Sequence, residues 1–153
     1  MKRELFLKYI TLFCIGAFLY TTIEICFRGY SFYAMMLLGG ALFVAIDGIN
    51  DYLPWDLDLT IQALIGASLI TLSELIIGEV TKFAGAAPMW DYSNLPFNFD
   101  GVICIPFFLI WILLSVAAII LSDSINYYLL HIEDVPRYKI FNKEIRFPEI
   151  KGE

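Results

Sequence analysis

The chain has 153 residues, of which 59% are hydrophobic and only 17% charged, with a formal net charge of −6. Such a composition excludes an ordinary soluble domain and reads as a membrane protein. The acidic balance, with no stripe of Lys and Arg, argues against nucleic-acid binding.

In chain order, four apolar stretches are long enough to cross a bilayer: residues 5–27, 31–50, 58–80 and 101–122. A hydrocarbon core of roughly 30 Å needs about 20 helical residues at about 1.5 Å each. The runs are continuous rather than alternating, which excludes a closed β-barrel. The expected fold is an all-α integral membrane domain of four transmembrane helices over 1–122, followed by a cytoplasmic tail over 123–153. Lys2 and Arg3 precede the first run as in a secretory signal, but no small-residue cleavage site follows and the run ends in Glu24, Cys26 and Arg28. It is therefore read as a mature helix. Cys14, Cys26 and Cys104 have no pairing spacing and are expected as free thiols packed among apolar side chains. The lone His131 is read as a surface residue rather than a metal ligand. The tail mixes charges and prolines and predicts a short helical extension followed by an irregular or interfacial segment, too short to build a core of its own.

Eight of the ten basic residues lie at the two ends, leaving only Arg28 and Lys82 in the connections after helices one and three. Cytoplasmic flanks gather Lys and Arg, so both termini are expected inside. The loop WDYSNLPFN (90–98) then faces outward, and DYLPWDLD (51–58) inward.

The chain also resembles itself. IGAFLYTTIE at 15–24 aligns with IGASLITLSE at 65–74, and the recurring Gly16/Gly66, Thr21/Thr71 and Glu24/Glu74 carry the weight. After an insertion of about a dozen residues, Tyr30-Ser31 aligns with Tyr92-Ser93 and Gly39 with Gly101. This predicts two tandem helix-hairpin repeats, 5–50 and 58–122, related by a parallel pseudo-two-fold along the membrane normal. Small residues on the faces of helices one and three predict a close crossing of the two, with Glu24 and Glu74 brought together.

An acidic side chain within a span costs on the order of 2.5–3.5 kcal/mol on insertion scales and so faces protein or water. Glu74 falls in the outer part of the bilayer and Glu79 at its rim. Arg28, one turn beyond Glu24, can pair with it or reach Glu74 across the repeat. The acids form a substrate or ion site, a structural clamp neutralised by Arg28, or a pair that snorkels to the headgroups. Over them lies the loop: Trp90 and Tyr92 suit an interface, Pro96 restricts the chain, Asn94 and Asn98 satisfy free backbone groups, and Asn98 or Asp100 is placed to cap helix four. The candidate substrate- or ion-binding set is Glu24, Arg28, Glu74, Glu79, Trp90, Asp91, Tyr92 and Asn98. Carboxylates with Asp91 and Asn98 can also supply oxygens to a divalent cation, at a spacing that is not diagnostic. No cofactor is expected.

The pattern W-D-Y-S-x-x-P-x-N-x-x-G at Trp90, Asp91, Tyr92, Ser93, Pro96, Asn98 and Gly101, preceded by Glu74 and Gly78 and followed by Trp111, resembles the CmpB-like family of ABC-transporter permeases, called type IV. The resemblance covers about residues 64–111 and extends to the first half through Gly16, Glu24 and Arg28-Gly29. Helix two departs from it, with LLGGALFVAIDGIN where a proline and a tyrosine-glycine turn are expected. The resemblance implies a small permease subunit. No G-x-x-x-x-G-K-[ST] occurs, so energy is expected from a separate ATPase subunit or an ion gradient, and because four helices make a thin pathway within the lipid bilayer, a homodimer or another partner is expected. DYLPWDLD and the tail are the candidate docking surfaces. The alternatives are a membrane-embedded enzyme acting on a lipid or lipid-linked substrate, with Glu24, Glu74 or Asp91 as acid or base, and a non-catalytic assembly or sensor protein. No GxSxG turn and no histidine within a span supports the enzyme.

Overall fold

In the computed structural model, residues 2–149 are described apart from 55 and 142; Trp55 and Lys151, named above within larger features, lie outside the described residues. Four helices are long and apolar enough to cross a membrane, over Arg3–Arg28, Tyr33–Tyr52, Leu59–Phe83 and Ile105–Leu129. They comprise α1 (Lys2–Arg28), α2 (Tyr33–Asp47) with the short continuation α3 (Ile49–Tyr52), α4 (Leu59–Phe83), and α5 (Ile105–Ser124), which runs into a π-helical turn at Ile125–Leu129. The chain is a multi-pass membrane protein. Its outward surface carries Phe18, Phe27, Phe83 and Leu113, each more than two-thirds exposed within the chain. In water such a surface would drive aggregation; in lipid it is solvated.

The fourth helix begins at Ile105 rather than near residue 101. Asn98–Phe99 (β1) pairs antiparallel with Ile103–Cys104 (β2), and the turn between them puts Asp100 and Gly101 at φ of 52° and 67°. Neither Asn98 nor Asp100 caps α5; the cap position is Cys104, which makes no side-chain bond there, and Pro106 follows it in the first turn. Helix α4 does have a side-chain cap, Asp58 accepting from the Thr60 N–H at 2.9 Å.

The close helix pairings are α1 with α2 and α4 with α5, and α2 with α5 joins the two pairs; α1 and α4 do not pack closely. The predicted crossing of helices one and three on their small faces is therefore replaced by packing inside each hairpin. A Cβ on Gly16 would collide with Phe43 of α2, and one on Gly66 would sit 2.7 Å from Ser115 Oγ of α5. The aligned glycines thus do the same work in each hairpin, letting the second helix approach the first. Gly39 and Gly101, aligned in sequence, occupy unlike places: Gly39 lies inside α2 against Tyr20, Gly101 in the left-handed turn. Between the hairpins the core is built by Ile46, Ile70, Trp111 and Ile119.

At the end that carries both termini, the structure reveals a second recurrence. Asp47-Gly48-Ile49-Asn50 closes α2 and Asp123-Ser124-Ile125-Asn126 closes α5. Each asparagine donates to the other hairpin's aspartate: Asn126 Nδ2 to Asp47 Oδ1 at 2.7 Å, and Asn50 Nδ2 to both oxygens of Asp123 at 3.3 Å. Lys8 of α1 enters the same cluster, 3.0 Å from Asp47 and 2.6 Å from Glu133. Where irregular chain was expected, the tail forms a hairpin, Arg137–Ile140 (β3) against Lys143–Arg146 (β4). Tyr138 and Ile140 point to one side and Arg137 and Lys139 to the other, and the Tyr138 hydroxyl reaches Asp123 at 2.9 Å. Burial beside that carboxylate raises the Tyr138 phenol pKa, keeping it a donor.

Candidate functional site

Glu74, seated near the far end of α4, is 3% exposed. Tyr92 of the long loop donates to its Oε1 at 2.9 Å and Trp111 of α5 to its Oε2 at 3.0 Å. Both donors are neutral. Burial first, then the adjoining carboxylate, raises the Tyr92 phenol pKa, so its proton stays in this bond. Tyr92 stacks on Phe107 at 4.3 Å between centroids, and Phe107 in turn lies 5.9 Å from Trp111, which fixes the aromatic wall around the acid.

Glu24, one hairpin away, has a cation of its own. Arg28 Nη2 lies 2.5 Å from Glu24 Oε1, Ser31 donates to Oε2, and Tyr20 approaches from the preceding turn at 3.4 Å. The rest of the guanidinium is engaged by the Met89 carbonyl at 2.6 Å and the Tyr30 carbonyl at 3.3 Å, and it stacks over Tyr30 and Phe32. Among the described residues Arg28 makes no bond to Glu74. Glu24 and Glu74 nonetheless line one cavity of about 160 Å³, together with Arg28, Trp90, Tyr92 and Trp111.

The remaining candidates lie elsewhere. Glu79 is an exposed partner of Lys82 at 3.4 Å. Asp91 accepts from the Ser93 hydroxyl and N–H at 2.5 and 2.8 Å, bonds that lower its carboxyl pKa, and it lies in a separate surface pocket beside Lys82 and Asp100. Asn98 ties the loop together, donating to the Leu95 carbonyl at 2.7 Å and accepting from Gly101 N–H at 3.1 Å. Trp90 does both jobs, lining the cavity while its indole donates to the Val102 carbonyl at 2.8 Å. Among the described residues no group of three or more Asp, Glu, His or Cys gathers as a metal cluster. Cys14 and Cys26, expected among packed apolar chains, are exposed on the membrane-facing surface, and only Cys104 is buried.

The chain matches, over residues 5–141, the family described as "Putative ABC-transporter type IV". It belongs to this family. The match spans both hairpins and reaches into the tail, beyond the stretch of 64–111 on which the sequence motif rests. Family membership and the four spans make the chain a small polytopic membrane protein of the permease class. No curated protein and no solved structure matches it significantly.

Trp111, Ser31, Tyr20 and Phe107 of the site had no place among the sequence candidates. Trp111 was visible only as part of the family pattern, Ser31 only as an aligned position, and Phe107 not at all. The usable signal was an indole in a span, since a buried Trp N–H requires an acceptor.

Proposed function

We propose that this chain is the substrate-handling membrane subunit of a transporter, with the cavity between the hairpins as its binding site. The observation that carries the reading is that Glu24 and Glu74, matching residues of the two halves, line one cavity although their helices do not pack together. A clamp formed by the two acids would put them in a shared ion pair; instead Arg28 serves Glu24 alone and Glu74 keeps neutral donors. Glu24, Arg28, Glu74, Trp90 and Tyr92 form the site, while Glu79, Asp91 and Asn98 lie outside it.

The two hairpins act as duplicated units related by an axis along the membrane normal, a reading supported by the equivalent packing of Gly16 and Gly66. The clustering of basic residues at the chain ends supports N-in/C-in orientation, which puts the Glu24/Glu74 cavity in the outer half of the bilayer. Because the chain carries no phosphate-binding loop, an ATPase subunit supplies the energy, docking on the cytoplasmic face formed by residues 51–58 and the tail hairpin, with a second copy completing the pathway.

The test is purification of the tagged protein from its native membrane, comparing wild type with Glu74→Gln. A stoichiometric ATPase should accompany both, and ATP turnover stimulated by membrane extract should fall at least tenfold in the variant. A chain that recovers no ATPase, or whose turnover ignores Glu74, removes the reading.

A further inference from the structure

The cavity at Glu24 and Glu74 adjoins another walled by α1, α2 and α5. A second cavity of about 160 Å³ shares Tyr20, Ile23, Trp111 and Leu114 with the first and is otherwise lined by apolar residues such as Gly16 and Phe43. From Glu24 to Gly16 the helical rise is about 12 Å. Ile23, Phe27 and Ile110 line the first cavity and are also 47%, 79% and 43% exposed on the membrane-facing surface, so its mouth opens sideways toward lipid. The shape is a largely apolar pocket carrying three charged residues, adjoining an apolar trough, that can be reached from within the bilayer.

The charge in the pocket selects the ligand. The charged residues lining the pocket are Glu24, Glu74 and Arg28, two carboxyl groups against one guanidinium. Arg28 is consumed by Glu24 and two carbonyls, and each Glu74 oxygen has one neutral donor with lone-pair capacity left over. An anionic head would meet Glu74 with no free cation to receive it. A small inorganic cation would find the Glu74 carboxylate, a Glu24 carboxylate already engaged by Arg28 and Ser31, and otherwise mostly rings and apolar side chains, too few free oxygens to complete its coordination. Aromatic faces flanking a carboxylate are instead the chemistry that holds organic ammonium groups.

We propose that the cavity binds a single-chain amphiphile with a cationic amine head, the ammonium at Glu74 and Glu24 among the aromatic rings and the tail in the trough walled by α1, α2 and α5. This rests on the cavity being the binding site, as proposed above. Glu74 is the principal counter-charge, Trp111 and Tyr92 hold it in place, and Leu114 walls the join between head and tail.

The test uses the full chain in phosphatidylcholine nanodiscs, titrated with dodecyltrimethylammonium, dodecyl sulfate, dodecylphosphocholine and tetramethylammonium, and followed by tryptophan fluorescence and melting temperature. Dodecyltrimethylammonium should bind saturably and raise the melting temperature, with the other three at least tenfold weaker. Glu74→Gln should weaken binding at least tenfold and Glu79→Gln should leave it unchanged. Should Glu74→Gln fail to fold, Leu114→Trp, which blocks the trough without touching an acid, should produce the same loss. Equal binding of dodecyl sulfate or dodecylphosphocholine, or loss in Glu79→Gln equal to that in Glu74→Gln, overturns the inference. Selective binding by a chain that recruits no ATPase sustains this inference and removes the transporter reading; an ATPase complex whose chain binds none of the amphiphiles does the reverse.

Discussion

The two ends of the bundle satisfy their buried acids in opposite ways. At the loop end each glutamate is held inside its own hairpin, Glu24 by Arg28 and Ser31, and Glu74 by Tyr92 and Trp111. At the end with the termini the hairpins exchange partners, Asn126 serving Asp47 and Asn50 serving Asp123. At the loop end the bond that crosses, among the described residues, is Arg28 to the Met89 carbonyl, and the acids themselves do not tie the hairpins together around the cavity; at the other end the acids fasten them. Polar groups in a membrane protein have no water to fall back on, so where the bonds cross decides which end can open.

This contrast can be broken at either end. The largest effect is expected from Lys8→Met, which removes the cation that, among the described residues, pairs with Asp47, Asp51 and Glu133 and leaves buried Asp47 beside the half-buried Glu133 without it. Breaking a buried pair in this way costs about 3–5 kcal/mol, read as lost unfolding stability in bilayers, and Asp47→Asn in the same chain should recover part of it. Gly16→Val comes next: the new side chain must displace Phe43, an overpacking of about 1–3 kcal/mol that loosens α1 from α2 without touching either acid cluster. Asn126→Leu should then cost about 1–3 kcal/mol by stripping a donor from buried Asp47, and should raise cross-hairpin motion in spin-label distance measurements at the terminal end. Glu74→Gln should leave those terminal-end distances unchanged, because its bonds do not cross there. The smallest effect is expected for pH at the loop: the Ser93 bonds hold the Asp91 carboxyl pKa below its ordinary value. A depressed value means the contribution is complete above the ordinary carboxylate range and is lost only as pH falls through the lower folded value. Asp91→Asn should therefore remove the acid-induced loosening of the loop in hydrogen exchange.

The four spans were legible because lipid demands continuous apolar helices and little else produces such runs. The start of helix four was misplaced because Phe99, Val102, Ile103 and Cys104 are apolar enough to extend it, while the left-handed turn at Asp100 and Gly101 that interrupts it is a local conformational fact. Glu24, Arg28, Glu74, Trp90 and Tyr92 stood out as polar or aromatic residues at membrane depth. Glu79, Asp91 and Asn98 stood out equally and lie off the cavity, since proximity in sequence to a loop does not say which way a side chain turns. The repeated Asp-x-Ile-Asn was present in the sequence but sits at a different offset from the glycine and glutamate alignment, chiefly because the connection between the helices is much longer in the second hairpin, residues 84–104 against 29–32. The tail hairpin left a period-two trace in Arg137–Ile140, overshadowed by the prolines around it.

The reciprocal asparagine–aspartate exchange also bears on how the protein can be divided. Cut in the connection at residues 53–58, the chain yields two fragments, each holding an acid whose amide donor resides on the other. Expressed separately, neither half can complete its own end; produced side by side, they carry the means to recognise one another and rejoin.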